Sequence, residues 1–83
     1  MRLAKHVKFR EEKFGGVLFE TRSEKVYTLT PTAAAVVQEV AAGRAAAEIG
    51  PTLAQRFRAA DGTVEREVQE FLTQLREKGL VED

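Results

Sequence analysis

The segment EKVYTLTPT, at residues 24–32, predicts a β-strand that ends abruptly and passes the chain directly into a helix. The centre of the segment is β-branched, aromatic or large and apolar, which suits a half-buried pleated surface. Thr30 can cap a helix whose first residue is Pro31, where a missing N–H costs nothing and φ is already helical. At a sheet edge, the unpaired N–H and C=O groups of such a strand can accept a peptide as an additional strand.

Two more strands are predicted upstream of this segment. Residues 7–12 alternate between apolar and charged side chains, as a half-buried strand does. A turn at residues 14–16 leads into a second strand at 16–21, and a short polar connection joins it to the third strand at 25–30. The first third of the chain is therefore predicted to be a small antiparallel sheet.

Helical periodicity replaces this alternation in the rest of the chain. The pattern predicts helices at 31–42, 45–57 and 64–78. Gly43 is expected to end the first helix. Pro51 should bend or restart the second, because an internal proline deletes a backbone hydrogen bond. The residues predicted to face the core are Ala33, Val36, Val37 and Val40, then Ile49, Leu53 and Phe57, and finally Val64, Val68, Phe71, Leu72 and Leu75.

The last helix has recognisable signals at both ends. Asp61 or Thr63, in or just after a turn at residues 58–62, can cap its start. Gly79 is placed to adopt a left-handed conformation after its end, which brings Leu80 back against Leu75 in a Schellman motif. The expected order is three antiparallel strands followed by three helices on one face of the sheet, an α+β fold. The last two helices could form a helix-turn-helix.

Length and composition set the class of protein. With 83 residues, the chain is expected to form a single domain, 1–83, too small for a deep, closed active site. It contains no cysteine, which excludes disulfides and thiolate sites and fits a reducing compartment. No apolar run approaches the roughly 20 residues that span a bilayer, and no signal peptide is evident. A cytoplasmic protein without membrane partners is predicted.

The sequence contains few residues that could act in catalysis or bind a metal. There is one serine, Ser23 in a polar turn, and one histidine, His6, which could lie beside Glu11 or Glu12. A lone histidine without cysteine or spaced carboxylates makes a poor metal site, and a hydrolytic triad needs both a nucleophile and a base. We therefore expect no catalytic residue, no metal and no cofactor.

The charge pattern argues against DNA binding by a helix-turn-helix. Residues 1–28 carry seven Lys or Arg and four Glu, a net charge of +3, whereas residues 29–83 have a net charge of −3. The last helix, which would be the recognition helix, has a net charge of −1 and would not attract phosphates. Winged-helix DNA binding remains an alternative only if Arg44, Arg56 and Arg58 gather into one patch.

Peptide binding requires none of the missing groups. It needs a free strand edge and an adjacent apolar groove, which the third strand and the last helix could supply together. Alternation leaves two options for the third strand, with either Val26 and Thr28 or Tyr27 and Leu29 facing the core. An accessory dimerisation module, with this edge buried against a second copy, is a further alternative.

Several of these segments together resemble the PqqD family of stand-alone recognition elements for ribosomally synthesised, post-translationally modified peptides (RiPPs). The resemblance covers nearly the whole chain and lies in the order and spacing of the segments FGGVLFET at 14–21, VYTLTPTAA at 26–34, EV at 67–68, FL at 71–72 and GLV at 79–81, with Gly43, Ile49, Leu53 and Leu75 between them. The TPTAAAVV segment at 30–37 is particularly similar to members from lasso-peptide clusters.

The resemblance implies a winged-helix-like fold and a function. It implies that a precursor's leader peptide binds along the third strand, in the cleft with the third helix, and is presented to a radical SAM enzyme or to a lasso-peptide protease and cyclase. The implied peptide-binding residues are Lys25, Val26, Tyr27, Thr28, Leu29, Glu67, Val68, Phe71, Leu72 and Leu75. Three features depart from the family pattern, namely Thr30 after Leu29, Glu67 in place of a frequent aspartate, and Pro51 in a helix that is usually continuous.

Overall fold

A computed structural model describes residues 1–57 and 62–82. These residues form five strands and three helices. In chain order the elements are β1 (Arg2–Leu3), β2 (Val7–Glu12), β3 (Gly15–Glu20), β4 (Lys25–Leu29), α1 (Pro31–Ala41), α2 (Ala46–Arg56), α3 (Thr63–Glu77) and β5 (Val81–Glu82). The three predicted strands are β2 to β4, so the α+β class and the order of the main elements are confirmed.

The main sheet is antiparallel, with the strand order β2-β3-β4. Its first turn lies one residue earlier than predicted, because Gly15 belongs to β3 rather than to the turn. Gly15 has a φ of 142°, and a Cβ added there would lie 2.2 Å from the carbonyl oxygen of Leu29. Only glycine therefore lets β3 pass this close to the junction between β4 and α1.

Two very short strands were not predicted. Antiparallel pairing joins β1 to β5, and the Ala4 N–H donates to the Leu80 carbonyl at 2.9 Å. Ala4 and Leu80 are both buried. The first and last described segments of the chain are thus joined in a second, two-stranded sheet.

The exit from β4 and the end of α1 follow the predicted signals. Thr30 is the N-cap of α1, and its Oγ1 accepts a hydrogen bond from the Ala33 N–H at 3.2 Å. Gly43 has a φ of 84° and donates to the Val40 carbonyl at 3.0 Å. With the bond from Arg44 N–H to the Glu39 carbonyl, this forms a Schellman ending.

The second helix excludes one of the two effects predicted for Pro51, and its end differs from the prediction. It continues through Pro51 as one helix from Ala46 to Arg56 and does not restart there. Phe57, which was predicted to face the core, is 42% exposed and lies beyond the last helical residue, under the guanidinium of Arg56. The prediction for Phe57 was wrong because extrapolating the helical period assumes that the helix continues through that residue.

The third helix begins one residue earlier than predicted. Its N-cap position is Gly62, with a φ of 79°, so Thr63 is the first helical residue rather than the cap. Asp61, the other predicted cap, and most of the predicted turn at 58–62 lie outside the described residues. At the other end the Leu80 N–H donates to the Leu75 carbonyl at 3.0 Å, which confirms the predicted Schellman motif.

The core lies between the helices and one face of the main sheet. Val7, Leu18 and Leu29 point into it from the three strands, and Val37, Val40, Ile49, Leu53 and Leu72 from the helices are completely buried. The opposite face of the sheet carries Lys8, Arg10, Phe19, Val26 and Thr28, which are exposed. Among the described residues, no helix is both long and apolar enough to span a membrane.

Candidate functional site

The third predicted strand, β4, lies at an edge of the main sheet. The burial of its side chains shows which of the two possible faces of this strand points to the core. Leu29 is buried and Tyr27 half-buried on the core face, whereas Val26, which is 61% exposed, and Thr28 are on the outer face. Within the described residues only β3 pairs with β4. The other edge of β4 is therefore open.

The register shows which backbone groups point to this open edge. The Thr21 N–H donates to the His6 carbonyl at 2.8 Å, so the odd-numbered residues of β3 bond towards β2. The even-numbered residues of β3 bond towards β4, where they pair with its odd-numbered residues. Val26 and Thr28 therefore direct their N–H and C=O groups away from the sheet. These are the groups that an added strand would use.

Beside this edge, α3 forms the second wall of a cleft that contains two pockets. The pocket nearer to α1, of about 190 Å³, is called here the α1 pocket and is lined by Thr30, Thr32, Ala33, Val36, Glu67, Val68 and Phe71. The pocket over β4, of about 140 Å³, is called the β4 pocket and is lined by Leu18, Tyr27, Thr28, Leu29, Phe71, Gln74, Leu75, Lys78 and Leu80. Phe71 lies between the two and belongs to both.

Most of the residues implied by the resemblance meet in this cleft. Glu67 and Val68 line the α1 pocket, Tyr27, Thr28, Leu29 and Leu75 line the β4 pocket, and Phe71 lines both. Lys25 and Val26 lie on the open strand but line neither pocket. Leu72 is completely buried in the core and is also absent from both linings. Among the implied residues of α3, Phe71 is the half-buried one, and it lines both pockets.

Other residues of the cleft were not singled out from the sequence. Gln74 and Lys78 are polar residues of α3, and both line the β4 pocket. The Lys78 ammonium lies 5.6 Å from the centre of the Tyr27 ring, a cation–π geometry. Helical spacing from Phe71 could have suggested both residues, because positions three and seven residues further on lie on the same side of a helix.

Two further depressions lie away from the cleft. One, of about 480 Å³, is on the outer face of the sheet among Lys8, Arg10, Val17, Phe19 and Val26. The other, of about 230 Å³, lies between the β2–β3 turn and α1, and charged side chains of Glu11, Glu12, Lys13 and Arg56 contribute to its lining. Neither is lined by Thr28 or by any residue of α3, the helix beside the open edge of β4. The cleft is therefore the stronger candidate.

His6 contacts Glu20 and Arg22 rather than Glu11 or Glu12. Its Nε2 is 3.6 Å from Glu20 Oε1 and 3.1 Å from Arg22 Nη2, next to the start of the β3–β4 turn. In the described residues, no group of three or more His, Asp or Glu side chains is close enough to hold a metal ion.

Arg44 precedes α2 and Arg56 ends it, so two of the three cations on which DNA binding depended are separated by the length of that helix. Arg44 bonds Glu39 at 2.7 Å and lies 3.9 Å from Glu48, and its hydrogen bond to Glu39 raises the pKa of Arg44 above its ordinary value. Arg56 stacks on Phe57. Arg58 lies outside the described residues. The winged-helix DNA-binding alternative is not favoured.

Comparison with known proteins identifies the family. The profile of "Coenzyme PQQ synthesis protein D (PqqD)" matches residues 15–81, which is most of the chain. This chain belongs to the PqqD family. The predicted resemblance is therefore confirmed, and the match includes all of β3, β4 and the three helices of this PqqD-family chain. No curated protein matches it.

Two solved structures are similar to this PqqD-family chain. "Lasso peptide synthetase B1 complexed with the leader peptide" is 28% identical, with a TM-score of 0.79 over 95% of this chain and 93% of the other. "TbiB1 in Complex with the TbiA(beta) Leader Peptide" is 22% identical, with a TM-score of 0.86 over 99% and 95%. The second supports the fold alone, while the first also supports a relationship with lasso-peptide B1 proteins.

Proposed function

We propose that this protein binds the leader peptide of a RiPP precursor as an added strand on β4, in the cleft with α3, and presents it to modifying enzymes. The open edge of β4, with the outward groups of Val26 and Thr28 beside two apolar pockets, carries the proposal. Membership of the PqqD family supports it, as does the 28% identity to a lasso peptide synthetase B1 that was solved with a leader peptide.

Affinity and selectivity come from different parts of this site. Val26 and Thr28 offer two donors and two acceptors, and each backbone bond contributes about 0.5–1.5 kcal/mol net. These bonds are independent of the peptide's sequence. The two pockets on either side of Phe71 supply selectivity, because burying an apolar side chain contributes about 1.5–3 kcal/mol. A leader with apolar side chains spaced to fill both pockets is the expected ligand.

The protein acts without catalysis of its own in this proposal, and its partners are the enzymes that process the bound precursor. The identity to a lasso peptide synthetase B1 favours a lasso-peptide protease and cyclase over a radical SAM enzyme. The expected setting is the cytoplasm, where precursors are made. Self-association through the β4 edge would compete with the peptide, since both need the same backbone groups.

A proline substitution on each edge of the sheet tests strand addition. Peptides are first selected from a displayed library of random 16-residue sequences on the immobilised protein, and one enriched peptide is synthesised. Thr28→Pro removes an outward donor from β4 and leaves the ladder to β3 intact, so we expect at least tenfold weaker binding in titration calorimetry. Glu11→Pro removes an outward donor from β2, the opposite edge, and should leave the affinity unchanged.

Far-UV circular dichroism of both variants shows whether they remain folded. If Thr28→Pro is folded and binds the peptide as tightly as the unsubstituted protein, strand addition at β4 is wrong.

A further inference from the structure

One side of α3 carries an ordered series of side chains along the cleft. Glu67, Phe71, Gln74 and Lys78 follow one another at intervals of four, three and four residues, which keeps them within about 60° around the helix. All four line the pockets already described. The wall that faces the open edge of β4 therefore runs from an acid, past an aromatic ring and an amide, to a base.

The two charges lie at opposite ends of the cleft. Glu67 lines the α1 pocket together with Thr30 and Thr32, which lie at the junction between β4 and α1. Lys78 lies over the Tyr27 ring in the β4 pocket, nearer to the start of β4. Lys25, the first residue of β4, adds a second exposed cation towards that end.

Backbone pairing alone does not determine the direction of an added strand. The outward groups of Val26 and Thr28 can bond a parallel or an antiparallel peptide, and the parallel arrangement is only slightly less stable per residue. Both pockets are mainly apolar, so neither distinguishes strongly between the two directions. The asymmetry in this cleft is the difference in charge between its ends.

We infer that this cleft selects a leader segment with a basic side chain at the Glu67 end and an acidic side chain at the Lys78 end, and that this pair of charges determines the direction in which the peptide binds. This inference rests on the proposed function. The eleven residues from Glu67 to Lys78 rise by about 16 Å along the helix. An extended peptide covers that distance in about five residues.

The solvent exposure of Glu67 and Lys78 determines how much each charge changes the peptide affinity. Glu67 and Lys78 are exposed, so each charge should change the peptide affinity by about two- to fivefold, and high salt should reduce that change. Such factors are small in a single titration, but repeated rounds of selection multiply them. Selection from a library is therefore the sensitive measurement.

The test repeats the random 16-residue library selection on three proteins, namely the unsubstituted chain, Glu67→Lys/Lys78→Glu, and a control with Glu70→Lys/Lys5→Glu. Both double substitutions keep the net charge, and the control residues are exposed and line neither cleft pocket. We expect peptides with a basic and an acidic residue about five positions apart around apolar residues. Because a peptide can bind in either direction, both orders of the two charges should be enriched, and the direction is read from one enriched peptide that carries a nitroxide label at its N-terminus. The protein amides that the label broadens should lie at the opposite end of β4 for Glu67→Lys/Lys78→Glu and at the same end for the control.

The outcomes separate this inference from the proposed function. Enriched apolar peptides without the pair of charges, or a label that broadens the same end of β4 on all three proteins, overturn the inference and leave leader binding intact. Failure to enrich any peptide whose binding is weakened by Thr28→Pro overturns the proposed function and the inference together. Thermal melts of the three proteins verify that each selection was made on folded protein.

Discussion

Glu24 shows how a single residue can carry backbone strain in this fold. It closes the four-residue turn between β3 and β4 with a φ of 62°, and it is the only described residue other than glycine with a positive φ. Its N–H donates to the Glu20 carbonyl at 2.8 Å, so the turn requires this conformation. A side chain with a Cβ is disfavoured in the left-handed region by about 1–2 kcal/mol.

Replacing Glu24 with glycine should therefore stabilise the protein. Relief of the left-handed strain exceeds the added entropy of the unfolded chain, and we expect a net gain of about 0.5–1 kcal/mol in the free energy of unfolding from urea titrations. Arg22→Gly, in the same turn but without a positive φ, is the control and should stabilise nothing. A loss of stability in Glu24→Gly would mean that the turn does not hold this conformation in solution.

At the scale of the element, α3 has two roles on adjacent residues. Leu72 is completely buried and faces the core, whereas Phe71 is half-buried and forms the rim between the two pockets. One residue along a helix corresponds to a rotation of about 100°, which is enough to separate a core position from a cleft position. The broad apolar stripe in the sequence includes both roles.

Alanine substitutions should separate these two roles. Phe71→Ala should weaken binding of a selected peptide at least tenfold and lower the stability by only about 1 kcal/mol, because the ring is partly exposed without peptide. Leu72→Ala should cost about 2–5 kcal/mol of stability through the cavity it leaves, with little change in the affinity of the protein that stays folded. Calorimetry and urea titration on both variants check this. Equal effects on binding would contradict the assignment of Phe71 to the cleft.

At the scale of the whole molecule, the pairing of β1 with β5 links the N-terminal segment to the end of α3. The Ala4 N–H bonds the Leu80 carbonyl in a buried position, and Leu80 also lines the β4 pocket. The ion pair between Arg2 and Glu82, at 3.1 Å, is exposed and adds little. The backbone link, rather than the charges, supports the floor of the pocket.

Hydrogen exchange should reveal this link. The Ala4 amide is expected to exchange slowly, at a rate similar to that of core amides such as Leu53, although Ala4 lies in the short segment before β2. The Val26 and Thr28 amides should exchange fast in the free protein and slow down when a selected peptide is bound. Fast exchange at Ala4 would show that the β1–β5 sheet opens independently of the core.

Local signals in the sequence determined much of the fold. The cap at Thr30, the proline at the start of α1 and the glycines at 43 and 79 each act through bonds within a few residues, so their outcomes could be predicted without knowing any distant contact. The apolar stripe of α3 also predicted the buried positions Val68, Leu72 and Leu75, since periodicity on a helix indicates which face is apolar. The leader-binding residues implied by the resemblance remain predictions for experiment.

Tertiary structure alone decided the remaining features, because each depends on residues far apart in the chain. Strands β1 and β5 are each two residues long, which is too short to show a periodicity. They pair segments that are far apart in the sequence. The packing of α3 against the sheet determines which face of β4 is buried. It also places the free edge of β4 beside Gln74 and Lys78 of α3. An edge is defined by the absence of a neighbour, and no local pattern of residues reports that.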